Sequence, residues 1–244
     1  MDFPVIYHFS DLRNNILCWY PFKRTDRVLE IGAGCGAITG MLCEKSGQVV
    51  SVDLSKRRAS INYARNKERE NLTIMVGNLN DMSFDQPFDY VVVNGVLEYA
   101  MSFTKGDTPY ETFLENMGQY LNEAGKILIA IENKLGLKYF AGAPEDHTDL
   151  HFFGINRYPG NHTVRTFSKT ELEELLNRSG FPFQKFYYPY PDYKFPTEIF
   201  TDETLYQNMY GKEYPIYTDQ TVALFSESAG IKNFAKEKIL DRWL

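Results

Sequence analysis

The sequence is poor in cysteine and has no long apolar run. Its three cysteines, Cys18, Cys35 and Cys43, lack the spacing of a zinc site or of a disulfide framework. This usage favours the reducing cytoplasm. Asp2 and Asp11 interrupt the beginning of the chain, so no signal peptide is expected. No segment reaches the roughly 20 apolar residues that a membrane-spanning helix needs.

Positive charge is also scarce. Lys and Arg number 26 against 32 Asp and Glu, which gives a net charge of −6. General nucleic-acid binders carry a basic surface, so we expect no nucleic-acid partner. No group of His, Cys, Asp and Glu has the sequence spacing of a known ligand set, and no metal is predicted. The length suits one core without repeats.

A glycine-rich loop between a strand and a helix is the most informative segment. The apolar residues 28–31 predict a buried strand, and Gly32, Gly34 and Gly36 follow before a helical pattern begins. Strand, glycine loop and helix open nucleotide-binding α/β sheets, where glycine lets the backbone approach the ligand. A second predicted strand ends at Asp53, about twenty residues later, where such folds bind ribose hydroxyls.

The glycine spacing alone is ambiguous, because Gly32-x-Gly34-x-x-Ala37 also fits the dinucleotide fingerprint. Glu30 lies just before the loop, and a carboxylate there would repel a pyrophosphate but attract a cation. S-adenosylmethionine carries an ammonium and a sulfonium. The acid therefore favours this cofactor over a nicotinamide dinucleotide.

Four segments, in order and spacing, resemble the class I S-adenosylmethionine-dependent methyltransferases. They are VLEIGAGCGAITGMLCE, VVSVDLS, MVGNLNDMSF and FDYVVVNGVLEY, within residues 27–133. The resemblance implies an α/β fold: a Rossmann-like, seven-stranded, mostly parallel sheet with helices on both faces and an antiparallel seventh strand. It also implies S-adenosylmethionine as cofactor and S-adenosylhomocysteine as product.

We expect a single methyltransferase domain over residues 1–244, with a helical segment at 1–22 and an amphipathic helix at 229–244. The connections 133–167 and 189–220 are too long for plain links. They would form cap insertions after strands 5 and 6 that hold the acceptor, or would only cover the sheet edge. Strands are predicted at 28–31, 49–53, 72–76, 88–93, 125–131, 183–188 and 221–225.

Local patterns also predict how three helices begin or pack. Thr108 with Glu111, and Ser168 with Glu171, are spaced as capping boxes, and Pro109 suits a first helical position. In the helix predicted over 56–69, Ile61 and Ala64 are expected to face inward.

The cofactor contacts are expected at strand ends. Backbone amides of the glycine loop would face the amino-acid part, near Glu30, and Asp53 would accept from both ribose hydroxyls; its alternative role is a helix N-cap. The resemblance places Asn78 and Leu79 beside the adenine. The predicted cofactor residues are Glu30, Gly32, Ala33, Gly34, Gly36, Asp53, Leu54, Asn78, Leu79, Asn94 and Gly95.

Methyl transfer needs alignment and exclusion of water more than a fixed catalytic group. A hydroxyl acceptor would benefit from a base, for which His147 is the candidate, oriented by Glu145 or Asp146. A solvated loop histidine is the alternative. Glu132 and Asn133, at the predicted end of strand 5, are the other catalytic candidates. Acceptor contacts are predicted for Tyr7, Glu145, Asp146, His151 and Tyr190.

The two long connections are rich in aromatic residues and carboxylates, a combination that suits sugars but equally an ordinary core. The segments ENKLGLKYFAGAPEDHTD and FYYPYPDYKFPTEIF resemble methyltransferase domains that accompany glycosyltransferases in bacterial surface-polysaccharide assembly. This resemblance implies a sugar or glycan acceptor, with fusion to or association with a glycosyltransferase, and a homodimer is a further possible assembly. A small secondary metabolite is the alternative acceptor.

Three rival functions remain at this stage. The first is a cofactor-binding module without catalysis, which would keep the same loop and Asp53. The second is a nicotinamide-dependent oxidoreductase, against which Glu30 argues. The third is an aminopropyl transferase that uses the decarboxylated cofactor.

Overall fold

The computed structural model describes residues 3–160 and 163–204. A short helix and a 3₁₀ turn precede a series of alternating strands and helices. The helices are α1 (Phe3–Phe9), α2 (Thr39–Lys45), α3 (Lys56–Asn66), α4 (Ala100–Phe103), α5 (Pro109–Gly118), α6 (Leu137–Phe140) and α7 (Lys169–Arg178). The strands are β1 (Arg27–Ile31), β2 (Gln48–Asp53), β3 (Leu72–Val76), β4 (Phe88–Asn94), β5 (Leu121–Ala130), β6 (Tyr187–Tyr190) and β7 (Glu198–Thr201).

Five strands form one parallel sheet in the order β3-β2-β1-β4-β5. β1 lies between β2 and β4, with Val28 opposite both Val49 and Tyr90. The first half of the sheet grows from β1 toward β3 and the second half grows from β4 toward β5. The strand order therefore reverses between β1 and β4, which is where ligands bind in open α/β sheets.

Apolar side chains cover both faces of the sheet. One buried cluster joins Leu29 and Val91 of the central strands to α5 and α7. The other joins Val28 and Val92 to α2 and the 3₁₀ turn at Asp11–Ile16. This two-sided burial accounts for the nearly continuous apolar runs in β1, β2 and β4. The predicted α/β class, with helices on both faces of a parallel sheet, is confirmed.

The predicted position of strand 6 was wrong. Phe183 is almost fully exposed and residues 181–186 form no regular structure. The strand begins later and, as β6, pairs antiparallel with β7 in a separate two-stranded sheet. Pro189 removes one backbone donor, which a two-stranded ribbon tolerates better than a central strand. Strand 7, the helix at 229–244 and the part of the second cap beyond residue 204 lie outside the described residues.

The long connection 133–167 lies at the carboxyl end of the sheet. Its two ends meet in a parallel bridge between Asn133 and Phe167, and the Arg165 N–H donates to the carbonyl of Glu98, which follows β4, at 3.0 Å. Pro144 and His151 form an antiparallel bridge within the connection. Residues 133–160 and 163–167 therefore form a structured cover. Within the described residues, no helix is both long and apolar enough to cross a bilayer.

The inward face of α3 differs from the prediction. Ala64 is exposed and Ile61 is half-buried, whereas Ala59, Asn62 and Asn66 are buried. Asn62 donates to Thr39 Oγ1 at 3.2 Å and to Ser51 Oγ at 3.0 Å. An asparagine can be buried when its polar atoms are hydrogen-bonded, and the pattern of apolar residues in the sequence does not predict such a position.

Of the two predicted capping boxes, only the second forms. Ser168 accepts from the Glu171 N–H and the Glu171 carboxylate accepts from the Ser168 N–H. Thr108 precedes α5 without a side-chain cap, although Pro109 occupies the first turn as predicted. Glu111 instead accepts from Arg178 of α7, at 3.1 Å from Nη2.

The two helix starts provide a matched test. Ser168→Ala is expected to lower the free energy of unfolding by about 1 kcal/mol, because the Glu171 N–H loses its side-chain acceptor. Thr108→Ala should change it by less than about 0.5 kcal/mol. Urea unfolding followed by circular dichroism measures both. Equal losses would contradict the assignment of the caps.

Candidate functional site

The candidate site lies at the carboxyl edge of the sheet, around the ends of β1, β2, β4 and β5. The glycine loop, residues 32–36, leaves β1 with left-handed backbone at Gly32, Gly34 and Gly36, whose φ angles are +66°, +58° and +75°. An added Cβ would lie 2.3 Å from Val96 Cγ2 at Gly32 and 2.2 Å from Asn62 Oδ1 at Gly36. Packing therefore excludes side chains at these two positions.

Gly34 has a different environment. A Cβ there would meet only the Gly32 carbonyl, at 4.0 Å, so the space beyond Gly34 is open. The Gly32 and Ala33 amides donate to the Val52 carbonyl at 2.8 and 3.1 Å, which fixes the loop on β2. The loop thus presents an ordered and accessible backbone at its centre, the arrangement a ligand needs.

Asp53 holds the glycine loop from the end of β2. One carboxylate oxygen accepts from the Gly34 N–H at 2.8 Å, and the other accepts from the Ser55 N–H at 2.8 Å and from Arg58 Nε at 3.0 Å. Ser55, not Asp53, is the N-cap of α3. The neighbouring Leu54 is 53 % exposed, an apolar surface next to the carboxylate.

Glu30 does not line the edge as the electrostatic argument required. Its side chain is buried and accepts from Thr39 Oγ1 at 2.6 Å and Ser51 Oγ at 2.7 Å. Burial raises the pKa of Glu30, although the two hydroxyls oppose this shift. The acid therefore joins β1 to β2 and to the start of α2, and it does not provide an exposed negative charge that would attract a cation.

A group of charged side chains meets at the ends of β4 and β5, and we call it the acidic cluster. Glu98 follows β4, Glu132 follows β5, His147 comes from the 133–167 connection and Lys194 from the segment after β6. Four further charged residues adjoin them. The members are Glu98, Glu132, Glu145, Asp146, Asp192, His147, Lys138 and Lys194.

His147 lies among three carboxylates of this cluster. Its Nδ1 is 2.7 Å from Glu145 Oε1, and its Nε2 is 3.7 Å from Glu98 Oε1 and 3.9 Å from Glu132 Oε2. The His147 side chain is 7 % exposed, which excludes the solvated loop histidine. Tyr99 contacts the imidazole ring edge-on, with 5.3 Å between ring centroids.

The charges in the cluster shift one another's protonation. Burial alone would lower the pKa of His147, but Glu145, Glu98 and Glu132 outweigh burial and raise this pKa to about 10. Burial raises the pKa of Glu98. In this arrangement His147 is protonated at neutral pH, so it is not ready to accept a proton. The role of base stays a prediction that this geometry does not favour.

Lysines hold the outer part of the cluster. Lys194 Nζ is 2.5 Å from Glu132 Oε1, and Lys138 Nζ is 2.6 Å from Asp146 Oδ2 and 2.9 Å from Asp192 Oδ2. Desolvation opposes charge on Lys194, but the surrounding carboxylates raise its pKa. These ion pairs fasten the segment after β6 and the 133–167 connection to the end of β5.

Asn94 and Gly95 connect the cluster to the glycine loop. A Cβ on Gly95 would lie 2.8 Å from the Tyr193 hydroxyl and 3.5 Å from Glu98 Oε1. Val96, which packs on Gly32, follows directly. Asn94 Oδ1 is buried and, among the described residues, has no hydrogen-bond partner. The loop and the cluster are therefore two sides of one site.

Four residues that were predicted to contact the cofactor or the acceptor make other contacts in the structure. Asn78 donates to the Phe103 carbonyl at 3.1 Å and accepts from the Asn80 N–H, and the Leu79 side chain belongs to the apolar core. Asn133 is exposed and accepts from the Leu135 N–H at 2.9 Å. His151 is exposed, with Nδ1 2.9 Å from the Gly142 carbonyl.

The remaining acceptor candidates are divided. Glu145 and Asp146 belong to the cluster, and the Tyr7 ring lies edge-on to Phe195, the residue after Lys194, with 6.4 Å between ring centroids. Tyr190 lies in β6, where its ring contacts Phe200 edge-on at 5.5 Å.

Sequence reasoning missed Glu98, Lys138, Asp192 and Lys194 as site residues. Glu98 lies four residues after the end of β4, and Asp192-Tyr193-Lys194 lies in the aromatic segment FYYPYPDYKFPTEIF. Their charges in otherwise apolar surroundings were the available signal. Which strand end they reach depends on the course of the long connections, which the sequence pattern does not specify.

Comparison with known proteins supports the methyltransferase family. Residues 29–127, about two fifths of the chain, match the family described as "Methyltransferase domain". This match supports the predicted class I methyltransferase fold for that part of the chain. An uncharacterized methyltransferase of Staphylococcus carnosus is 37 % identical over 125 residues, which are 51 % of this chain and 54 % of that protein. The chain thus spans about half the length of this relative.

Two further comparisons support the methyltransferase fold. The putative methyltransferase YqeM of Bacillus subtilis is 27 % identical over 184 residues, 64 % of this chain and 73 % of the relative. Phosphoethanolamine N-methyltransferase 1 of Haemonchus contortus, solved with phosphoethanolamine and S-adenosylhomocysteine, superposes with a TM-score of 0.51 and 23 % identity. That superposition covers 67 % of this chain and 32 % of the other.

The methyltransferase cofactor, S-adenosylmethionine, fits the residues at this edge. Gly34 leaves open space where an added Cβ would project, and the Asp53 carboxylate and exposed Leu54 lie beside it. The unpartnered Asn94 Oδ1 offers a further acceptor. S-adenosylmethionine has no phosphate groups, so the site needs no positively charged residues to bind a pyrophosphate.

Gly34 should be required for ligand approach and not only for the backbone. Gly34→Ala is expected to cost about 1–2 kcal/mol of stability, because alanine is strained at φ +58°. It should also weaken S-adenosylhomocysteine binding at least tenfold, since the methyl group projects into the open space. Calorimetric titration and thermal unfolding measure the two effects.

Gly180→Ala is the matched control, because Gly180 has φ +86° and no neighbour within 4 Å of an added Cβ. It should cost similar stability while retaining ligand affinity. If both variants bound S-adenosylhomocysteine as the unaltered protein does, the open space beside Gly34 would not be the cofactor site.

Proposed function

We propose that this chain transfers a methyl group from S-adenosylmethionine to an oxygen or nitrogen of a small polar acceptor, with a sugar or glycan as the leading acceptor class. The acceptor would lie against the acidic cluster, next to the glycine loop. The single observation that carries the proposal is the contact between the two parts: Gly95 approaches both Tyr193 and Glu98, while Val96 packs on Gly32.

The glycine loop and Asp53 would hold the cofactor. Asp53 accepts from three donors of the chain and is almost fully buried. Each carboxylate oxygen has two acceptor positions, so one ribose hydroxyl can be added without removing the Gly34 contact. When bound, the cofactor supplies an electrophilic methyl group, which an acceptor atom takes by in-line displacement.

The chain would contribute positioning, exclusion of water and fixed charges. The 133–167 connection covers the edge and brings His147 beside Glu98 and Glu132. Preorganised groups in a site of low exposure interact more strongly than the same groups in water. Glu132 and Asn94 each have a buried oxygen without a partner in the described part of the chain, and an acceptor hydroxyl or amine would satisfy such atoms.

A sugar-like acceptor is favoured by the composition of the cover. Tyr139, Tyr158 and Tyr193 are buried around the carboxylates, and Phe140 and Phe152 are exposed. Aromatic faces stack on sugar C–H groups while carboxylates accept from hydroxyls. A small secondary metabolite with hydroxyl or amine groups remains the second acceptor, because the same cluster would bind it.

The alternative of a cofactor-binding module without catalysis would use the glycine loop alone. The acidic cluster favours an acceptor site beside the loop, because a buried carboxylate oxygen without a partner lowers the stability of the folded protein unless it binds something. Association with a glycosyltransferase and homodimer formation are kept as proposals for the assembly.

Cofactor binding should depend on the Asp53 carboxylate. Asp53→Asn is expected to weaken S-adenosylhomocysteine binding about 10- to 100-fold, the range of a charge-assisted hydrogen bond of ~1.5–3 kcal/mol. Arg58→Ala removes the ion pair to Asp53 but keeps the carboxylate, so binding should change less than threefold. Both affinities are measured by calorimetry. Unchanged binding by Asp53→Asn would contradict this role.

Methyl transfer is tested with labelled S-adenosylmethionine against nucleotide sugars, glycan fragments, amino sugars and small phenols or amines. One acceptor pool should take up label, with Asp53→Asn as the background. Glu132→Gln should lower kcat/KM for that acceptor at least tenfold while leaving S-adenosylhomocysteine affinity unchanged. Tight cofactor binding without transfer to any pool would favour the non-catalytic module and refute the proposal.

A further inference from the structure

Glu98, Glu132 and His147 bring two carboxylate groups and an imidazole nitrogen close together, but at distances longer than hydrogen bonds. One carboxylate oxygen of each glutamate and one imidazole nitrogen all lie within 4.8 Å of each other. The separations of 3.7 and 3.9 Å from His147 Nε2 to the two carboxylates are too long for hydrogen bonds.

Two of the carboxylate oxygens accept no hydrogen bond from the described part of the chain. Glu98 is 1 % exposed and Glu132 is 5 % exposed, and the Oε2 atom of each has no hydrogen-bond partner among the described residues. Lys194 occupies only the other oxygen of Glu132. A buried and unpaired carboxylate oxygen is costly, so these two atoms indicate a missing positive group.

The imidazole is held in the orientation of a metal ligand. Glu145 contacts His147 Nδ1 at 2.7 Å and accepts from the His147 N–H at 3.0 Å and from Thr148 Oγ1 at 2.9 Å. Nε2 is thereby directed toward Glu98 and Glu132. A carboxylate on the far nitrogen is the usual support for a histidine that binds a metal, because it fixes the tautomer and the ring.

The charges of the cluster leave a deficit that a cation would fill. Five carboxylates meet there, and two lysines pair with some of them: Lys138 with Asp146 and Asp192, and Lys194 with one oxygen of Glu132. Glu98 has no lysine or arginine partner among the ion pairs of the described residues. Its one nearby basic group is His147.

We propose that Glu98, Glu132 and His147 bind a divalent first-row transition cation, Mn²⁺ or Zn²⁺, which displaces the Nε2 proton of His147 to solvent. A mixed set of imidazole nitrogen and carboxylate oxygen suits these ions, and three protein ligands leave a position open for water or an acceptor oxygen. Ligand atoms around a tetrahedral ion at about 2.0–2.2 Å are about 3.3–3.6 Å apart. The two separations from His147 Nε2, 3.7 and 3.9 Å, need to close by only a few tenths of an ångström, and the separation between the two carboxylates, which is at most 4.8 Å, by up to about 1.5 Å.

The metal site shares Glu132 with the proposed acceptor site, so the inference rests in part on the proposed function, but metal binding is measured without methyl transfer. The full chain is stripped with a chelator and titrated with MnCl₂ and with ZnCl₂ by calorimetry. One ion per chain is expected for at least one of the two metals. Glu98→Gln and His147→Gln should each lower the affinity tenfold or more, whereas Glu115→Gln, on the exposed face of α5, should leave it unchanged.

A direct measurement covers the case in which a variant fails to fold. Crystals of the unaltered chain soaked in MnCl₂ should give an anomalous difference peak between the three side chains. Absence of binding for both metals, binding unaffected by Glu98→Gln and His147→Gln in folded variants, or a peak elsewhere would overturn the inference. S-adenosylhomocysteine titration of the same preparation reports the cofactor site independently, so failure of one proposal is distinguishable from failure of the other.

Discussion

The structure depends on the way five carboxylates are kept together at the buried ends of β4 and β5. Like charges repel strongly where water is excluded, so each carboxylate needs a counter-charge or donors close by. Lys138, Lys194 and His147 supply that charge; Lys138 and His147 come from the connection after β5, and Lys194 from the segment after β6. These ion pairs therefore stabilise the long connections over the sheet edge.

The same principle shapes the other side of the site. Glu30 and Asp53 are both buried at strand ends, yet neighbours satisfy them differently: hydroxyls of Thr39 and Ser51 surround Glu30, whereas amides and Arg58 surround Asp53. Glu30 thereby joins β1, which leads into the glycine loop, to β2 and α2. Asp53 stays next to the open space at Gly34. Two acids that look alike in sequence acquire different tasks from their donors.

Much of the nucleotide-binding half was predictable because its signals are local. The strand at 72–76 was predicted with its observed bounds, and those ending at Ile31 and Asp53 differ by one residue at their start. Strand 6 and the Thr108 cap failed for a common reason. A short run of polar and aromatic residues becomes a strand, and a capping pattern becomes a cap, only when the tertiary structure allows the required contacts. In the case of the cap, Glu111 pairs with Arg178 and not with the N-terminus of its own helix.

The candidate site also has a part that local sequence signals predicted and a part that they did not. By itself the sequence determined the parallel α/β core, the glycine loop and the acid at the end of β2, because apolar runs and glycine positions act on neighbouring residues. Tertiary structure alone decided that Glu98, Glu132 and His147 meet, that Asn133 turns to solvent, and that Glu30 is covered. Contacts between side chains distant in sequence depend on how long connections fold back, and charge pairing in the buried edge, not local propensity, sets that course.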